Sequence, residues 1–127
     1  KNDLTFGGRN VVYGKTLELV RNSDFVITRQ STAISYAIFF KKPVIFIYSN
    51  ELKKDSLAMA GVNKISKLLN TIPINIDENL EDISKYLNVD KLCYEAYIKN
   101  YLTSTNSSKT NAQILLKDIM MLDDKTF

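Results

Sequence analysis

The chain contains no histidine and only a single cysteine among its 127 residues. The absence of histidine excludes Ser-His-Asp triads, Cys-His dyads and the commonest zinc and iron sites, all of which need an imidazole. An internal disulfide is excluded as well, because Cys93 has no second cysteine to pair with, and this fits a reducing compartment. Cys93 lies in an apolar patch, so we expect it to pack in the core rather than act as a nucleophile. No metal site is predicted.

Long hydrophobic runs are also lacking. The longest apolar stretches are residues 33–40 and 44–48. Both are far shorter than the roughly 20 residues of a membrane-spanning helix. The first ten residues, KNDLTFGGRN, lack the apolar centre of a signal peptide. Since the chain does not begin with methionine, we expect it to be a processed or deliberately cut piece of a cytoplasmic protein.

The chain also lacks a cluster of basic residues. The chain has 17 basic and 14 acidic residues, a net charge of +3, and these residues are scattered along its length. Nucleic-acid-binding proteins usually carry a basic patch or stripe, so nucleic acid is not an expected partner. A chain of this length that is 45% hydrophobic and 24% charged has the composition of a single globular domain.

Residues 24–48, DFVITRQSTAISYAIFFKKPVIFIY, show the clearest structural pattern. A short β-branched run at 25–28 predicts a strand, and Ser31 and Thr32 predict the start of a helix. Lys42 and Pro43 then end this helix before a second predicted strand at 44–48. The helix is almost wholly apolar, which is typical of a helix that packs against a parallel sheet.

The remaining segments continue this alternation of strands and helices. We predict further strands at 10–13 and 72–76, a polar loop at 49–55, and helices at 16–21, 56–70, 80–87, 90–102 and 110–122. Gly61 and Asn63 predict a kink or break in the helix at 56–70. The order predicts an α/β fold, a Rossmann-like parallel sheet of about four or more strands with helices on both faces, ending in two C-terminal helices. We expect the tyrosines of the first C-terminal helix, Tyr94, Tyr97 and Tyr101, to pack on the sheet.

Polar residues gather at the turn between the strand at 25–28 and its helix. Arg29, Gln30, Ser31 and Thr32 follow the carboxyl end of a predicted parallel strand, which is where ligands bind in open α/β sheets. A guanidinium, hydroxyls and backbone N–H groups at this place favour an anion such as a phosphate ester. The alternative is structural, with Ser31 acting only as an N-cap and Arg29 only as a solvated surface charge.

A second phosphate motif is suggested by Gly14, Lys15 and Thr16, which look like the end of a P-loop. That motif needs a glycine five residues before Gly14, and Arg9 occupies the position. A P-loop NTPase is therefore not expected.

The segment at 26–48 resembles the C-terminal, donor-binding half of GT-B fold glycosyltransferases, notably bacterial enzymes of surface polysaccharide biosynthesis. The residues that carry the resemblance are Ser31 and Thr32 in the turn, Ala37 within the helix, and Lys42 and Pro43 before the next strand. Residues 10–48 resemble the family well, and the rest of the chain matches only in the order of its elements. Many members have an acidic residue seven positions before the proline to hold the ribose, and Tyr36 stands there instead.

The resemblance implies a role for each candidate site residue. Ser31 and Thr32 would bind the diphosphate of a nucleotide sugar with Arg29 as a charge partner, while Gln30 would reach the donor sugar. Gly14 and Lys15 would lie near the base, and Tyr36 would bond the ribose. No catalytic residue and no cofactor are expected in this chain, because the catalytic base of inverting members belongs to the N-terminal half.

The resemblance further implies that residues 1–127 form a single domain, the C-terminal half of a longer enzyme whose N-terminal domain binds the glycan acceptor. The nucleotide-sugar donor is then the partner of this half, and the piece alone would be inactive. The full-length protein would lie in the cytoplasm, with peripheral association at the inner face of the membrane as a further expectation. Two alternatives are a non-catalytic anion- or nucleotide-binding α/β module and a nucleotide-sugar epimerase-like domain, because fold alone does not decide function.

Overall fold

The structure, a computed structural model, describes residues 7–78 and 82–102 of the chain. Its regular elements follow one another in this order: α1 (Thr16–Asn22), β1 (Val26–Thr28), α2 (Ala33–Phe39), β2 (Val44–Tyr48), α3 (Asn50–Lys53), α4 (Ser56–Leu68), β3 (Ile74–Asn75), a 3₁₀ helix (Ile83–Tyr86), α5 (Lys91–Tyr97) and a π-helix (Ile98–Leu102). The predicted helix at 110–122 lies outside the described residues.

The sheet consists of three parallel strands in the order β1-β2-β3. Ile27 pairs with Ile45 across the first strand pair, and Ile47 pairs with Ile74 across the second. Helices connect β1 to β2 and β2 to β3, as parallel strands require. The predicted α/β class with a parallel sheet is therefore confirmed, and three strands lie within the described part of the chain where about four or more were expected.

The predicted strand at 10–13 is wrong, because these residues carry no strand pairing in the structure. Val12 is 47% exposed and Tyr13 is 79% exposed. Their β-branched and aromatic side chains suit a strand, but strand preference depends on packing against neighbouring strands. With both side chains in solvent, the segment gains little from pairing.

Helix α2 is set by local hydrogen bonds at both of its ends. The Ser31 hydroxyl oxygen accepts a bond of 3.1 Å from the Ala33 N–H, and the helix begins at Ala33. At its other end Lys41 adopts a positive φ of 55°, and the Lys42 N–H donates to the Ala37 carbonyl at 2.8 Å. These bonds satisfy an N–H group at the start of the helix and a carbonyl at its end that would otherwise be free. The predicted helix between two strands is confirmed.

Two predictions for the segment after β2 are wrong. Residues 50–53 form α3 instead of a loop, because the Ser49 hydroxyl caps this short helix by accepting from the Leu52 N–H at 3.2 Å. Helix α4 also runs unbroken through Gly61 and Asn63. Its N-terminus is capped by Asp55, and Val62 is fully buried. Tertiary packing of this kind outweighs the low helix propensity of a single glycine.

The last described segment contains one correction and one confirmed prediction. Residues 83–86, within the predicted helix at 80–87, form a 3₁₀ helix whose N-cap is Asp82. The predicted helix at 90–102 is present as α5 followed by the π-helix. Asp90 caps α5 by accepting from the Cys93 N–H at 3.0 Å, and this bond is the main reason that the pKa of its carboxyl lies below the usual value.

The core lies between the sheet and the helices. Its buried members come from α1, α2, β2, α4 and α5, together with the residue that follows α4: Val20, Ile34, Ala37, Ile38, Val44, Phe46, Val62, Leu69 and Tyr94. The Tyr94 hydroxyl donates to the Lys42 carbonyl at 3.0 Å, so α5 is tied to the segment between α2 and β2. Burial raises the pKa of Tyr94 to about 12. The predicted packing of this tyrosine is confirmed.

Within residues 7–78 and 82–102, none of the helices combines the length and the apolar character needed to cross a membrane.

Candidate functional site

An open groove of about 550 Å³ lies beside the turn that follows β1. All four turn residues that the sequence singled out, Arg29, Gln30, Ser31 and Thr32, line this groove and are exposed. The rest of its lining comes from α2, α4 and α5, namely Ile34, Ser35, Ile65 and Tyr97. Because β1 ends at Thr28, the groove lies at the carboxyl edge of the parallel sheet.

The groove offers several hydrogen-bond donors to a ligand. Arg29 presents a guanidinium, whose five N–H groups can bind two oxygens of a phosphate at once. Ser31 accepts a bond from the Ala33 N–H and so stabilises the turn before α2, although the N-cap of this helix is Thr32. The same hydroxyl still has a proton to donate, since a hydroxyl both donates and accepts. The bond to the Ala33 N–H and a ligand-binding role for Ser31 are therefore compatible.

Gln30 lies between this groove and a second one along α4. The second groove, also about 550 Å³, is lined by Gln30 together with Asp55, Leu57, Ala58, Ala60, Gly61 and Lys64. The side-chain amide of Gln30 occupies the space that a Cβ atom on Gly61 would need. Gly61 thus leaves room for the Gln30 side-chain amide against α4. This contact explains a glycine in the middle of a helix.

Tyr97 is a groove residue that the sequence did not assign to the site. It lies at the C-terminal end of α5, and burial raises the pKa of its hydroxyl, with a smaller contribution from Tyr101. The two rings lie 4.9 Å apart with an interplanar angle of 37°. Tyrosines spaced by four residues on a predicted helix indicate that two rings share a face. That pattern does not show which part of the molecule the face meets.

The other three predicted site residues are not among those that line the groove. Gly14 adopts a positive φ of 72° in the segment before α1. The Lys15 ammonium nitrogen lies 3.8 Å from a Glu18 carboxylate oxygen, and both side chains are exposed. Tyr36 is on α2 and is 39% exposed. The structure therefore brings the four turn residues together along one groove, and these three are not among the residues that line it.

A hydrogen-bond network joins the carboxyl ends of β2 and β3. Asn75 is buried, and its side-chain amide donates to the Asn50 side-chain carbonyl and to a Glu78 carboxylate oxygen, both at 2.8 Å. Asp77 accepts from the Asn50 backbone N–H at 2.6 Å. Since buried amides are costly unless they are bonded, this network fixes the start of α3 on the end of β3. Its role is structural.

The described residues hold no cluster of three or more His, Cys, Asp or Glu side chains that could hold a metal ion. Burial and the nearby Asp90 carboxylate raise the pKa of the Cys93 thiol. A thiol that holds its proton is a poor nucleophile. Cys93 is half-buried and does not belong to the core cluster, so its predicted packing in the core is wrong.

A further cavity, of about 330 Å³, lies at the opposite edge of the sheet. It is lined by residues near the amino ends of β2 and β3 and by the segment around the 3₁₀ helix: Val44, Ile45, Asn70, Thr71, Ile72, Lys85, Tyr86 and Asn88. None of the predicted site residues belongs to this set. The groove beside Arg29 and this cavity are thus two separate places where a ligand could bind.

Comparison of the chain with protein-family models, with curated proteins and with solved structures finds no match in any of the three.

Proposed function

We propose that the groove beside Arg29 binds the diphosphate of a nucleotide sugar, and that the chain is the donor-binding part of a glycosyltransferase of surface-glycan biosynthesis. One observation carries the proposal. Arg29, Gln30, Ser31 and Thr32 line a single groove at the carboxyl edge of a parallel sheet. This edge is where open α/β sheets bind nucleotides.

The chemistry proposed for the groove is electrostatic. The Arg29 guanidinium and the hydroxyls of Ser31 and Thr32 donate hydrogen bonds to the phosphate oxygens. These bonds strengthen as negative charge builds up on the departing nucleoside diphosphate, so they lower the barrier to sugar transfer. Gln30 reaches the donor sugar. The acceptor and the catalytic base belong, in this proposal, to another domain of a longer cytoplasmic protein that associates with the inner face of the membrane.

The proposal extends to the fold. We infer that β1, β2 and β3 belong to a Rossmann-like sheet with further strands and with helices on both faces. Ile45 supports this inference, because it is buried although it lies outside the core cluster that contains its neighbours Val44 and Phe46. Since successive residues of a strand point to opposite faces of the sheet, the burial of Ile45 supports a second face that is also covered.

One alternative has an observation in its favour. A non-catalytic anion-binding module needs only the turn, whereas a nucleotide-sugar site also needs contacts to the base and the ribose. Gly14, Lys15 and Tyr36, which were expected to supply those contacts, are not among the residues that line the groove. In this alternative Arg29 and Ser31 bind an anion without any transfer chemistry.

The test is the thermal stability of the chain with UDP, CDP, CMP, GDP and ADP. A ligand present at about 100 times its Kd stabilises a protein by about 2.7 kcal/mol, so even modest affinity raises the melting temperature measurably. We expect one nucleotide to stabilise the chain, and Arg29→Ala and Ser31→Ala to reduce that stabilisation.

Arg21→Ala is the matched control, because Arg21 is an exposed arginine at the end of α1. The control variant should respond to the nucleotide as the unmodified chain does. Equal responses in the Arg29 and Arg21 variants would place the ligand elsewhere and contradict the proposal. If inorganic pyrophosphate stabilises the chain at least as much as any nucleotide does, the anion-binding module is favoured.

A further inference from the structure

Two tyrosines form an aromatic pair that begins at the groove: Tyr97 at the end of α5 and Tyr101 in the π-helix that follows. Tyr97 lines the groove together with Arg29 and Ser31. Tyr101, which is 57% exposed, extends the aromatic surface away from it, with its ring 4.9 Å from that of Tyr97. The pair therefore begins beside the cationic and hydroxyl-bearing turn and continues outward into solvent.

The packing of α5 holds Tyr97 in place. Tyr94, one turn earlier, is buried and bonded to the Lys42 carbonyl, so this part of α5 is fixed relative to α2. Tyr97 is half-buried and packs against the core cluster. A ring that is already ordered loses little conformational entropy when a ligand stacks on it.

The chemistry of an aromatic pair next to phosphate-binding groups suits a nucleotide. Nucleobases stack on tyrosine rings, and this contact tolerates any base because each base has a π-face. The segment containing Gly14 and Lys15, where the base was expected, contributes no residue to the groove lining. Tyr97 is the aromatic residue that does.

We propose that the nucleobase of the donor stacks on the surface formed by Tyr97 and Tyr101, while its phosphates bind Arg29, Ser31 and Thr32. This inference rests on the proposed function, because it assigns the base-binding part of the same site. It moves the base from the segment before α1 to the end of α5. It also assigns Tyr97 and Tyr101 as residues that decide affinity for the nucleoside part of the ligand.

The experiment measures by titration calorimetry how tightly the 127-residue chain binds inorganic pyrophosphate, ribose 5-phosphate and the nucleoside diphosphates. Loss of a stacked base typically weakens binding about tenfold to a hundredfold. We expect the nucleoside diphosphates to bind more tightly than pyrophosphate. Tyr101→Leu and Tyr97→Leu should remove most of that advantage while leaving pyrophosphate affinity unchanged, and Tyr97→Phe should retain it.

The controls separate stacking from folding defects. Tyr101 is exposed, so its leucine variant is informative even where Tyr97→Leu perturbs the packing of α5. Tyr13→Leu is the matched variant at an exposed tyrosine outside the groove, and it should bind every ligand normally. Pyrophosphate binding without a nucleotide advantage, or an advantage that survives in both leucine variants, would overturn this inference alone. If neither pyrophosphate nor any nucleotide binds, the proposed function fails, and the inference fails with it.

Discussion

Tyr94 shows how one side chain links distant parts of the chain. It is the largest of the fully buried side chains in the described structure, and its hydroxyl bonds to the carbonyl of Lys42, 52 positions away in the sequence. The bond satisfies a polar group inside the core and fixes α5 beside α2. Because Tyr97 is only one turn further along α5, the geometry of the groove depends on this buried hydroxyl.

Removal of the Tyr94 hydroxyl should change both the free energy of unfolding and its dependence on pH. Near neutral pH, Tyr94→Phe should lower the free energy of unfolding by about 1–2 kcal/mol, because the Lys42 carbonyl loses its buried partner. The pKa of Tyr94 is about 12 in the folded chain and 10.0 in the unfolded one. The protonated hydroxyl therefore stabilises the fold fully below pH 10.0, and this contribution is lost as the pH rises toward 12.

Urea unfolding at several pH values measures this effect. The difference in unfolding free energy between the unmodified chain and Tyr94→Phe should be constant at neutral and mildly alkaline pH and should shrink at higher pH. Tyr13→Phe, at an exposed tyrosine, should match the unmodified chain throughout. A difference that stays constant through the alkaline range would mean that Tyr94 ionises normally and that its burial is not as described.

At the scale of elements, the contact between the turn after β1 and helix α4 positions the groove. Gln30 lies over Gly61, and Asp55 caps the start of α4 by accepting from the N–H groups of Leu57 and Ala58 at 3.0 Å each. The cap and the buried face of α4 hold the helix in place. Gly61 leaves room for the Gln30 side-chain amide against it. Gln30 is therefore held at the boundary between the two grooves.

A double-mutant cycle tests this contact. In a Gln30→Ala background, Gly61→Ala should raise the free energy of unfolding by about 1 kcal/mol, the difference in helix propensity between alanine and glycine. In the unmodified background the gain should be smaller, since the added Cβ displaces the Gln30 amide. Urea unfolding of the four proteins gives the coupling energy. Equal gains in both backgrounds would show that Gln30 does not lie against Gly61.

The elements also show which features local sequence can predict. Helix α2 and its flanking strands were predicted correctly, because apolar runs, a Ser-Thr helix start and a Lys-Pro stop act within a few residues of each other. The turn at 29–32 was predicted as the candidate site for the same reason. The presence of Tyr97 in the groove could not be predicted, because it depends on how α5 packs against α2. The unbroken course of α4 through Gly61 likewise depends on tertiary packing, with Val62 buried in the core.

At the scale of the whole molecule, the sheet separates two places that can hold a ligand. The groove beside Arg29 lies at the carboxyl edge of the parallel strands, and the cavity lined by Asn70, Thr71 and Asn88 lies at the amino edge. The number of strands was the weakest prediction at this scale. Residues 10–13 have suitable side chains for a strand, but pairing depends on a neighbour, and the local pattern contains no information about one.

The central claim is that the groove at the carboxyl edge binds a diphosphate. Titration of the isotope-labelled chain with inorganic pyrophosphate, followed by the chemical shifts of its backbone amides, tests it residue by residue. We expect the shifts to concentrate at residues 29–32. Shifts that concentrate instead at Asn70, Thr71 and Asn88, or an unchanged spectrum at every pyrophosphate concentration, would contradict it.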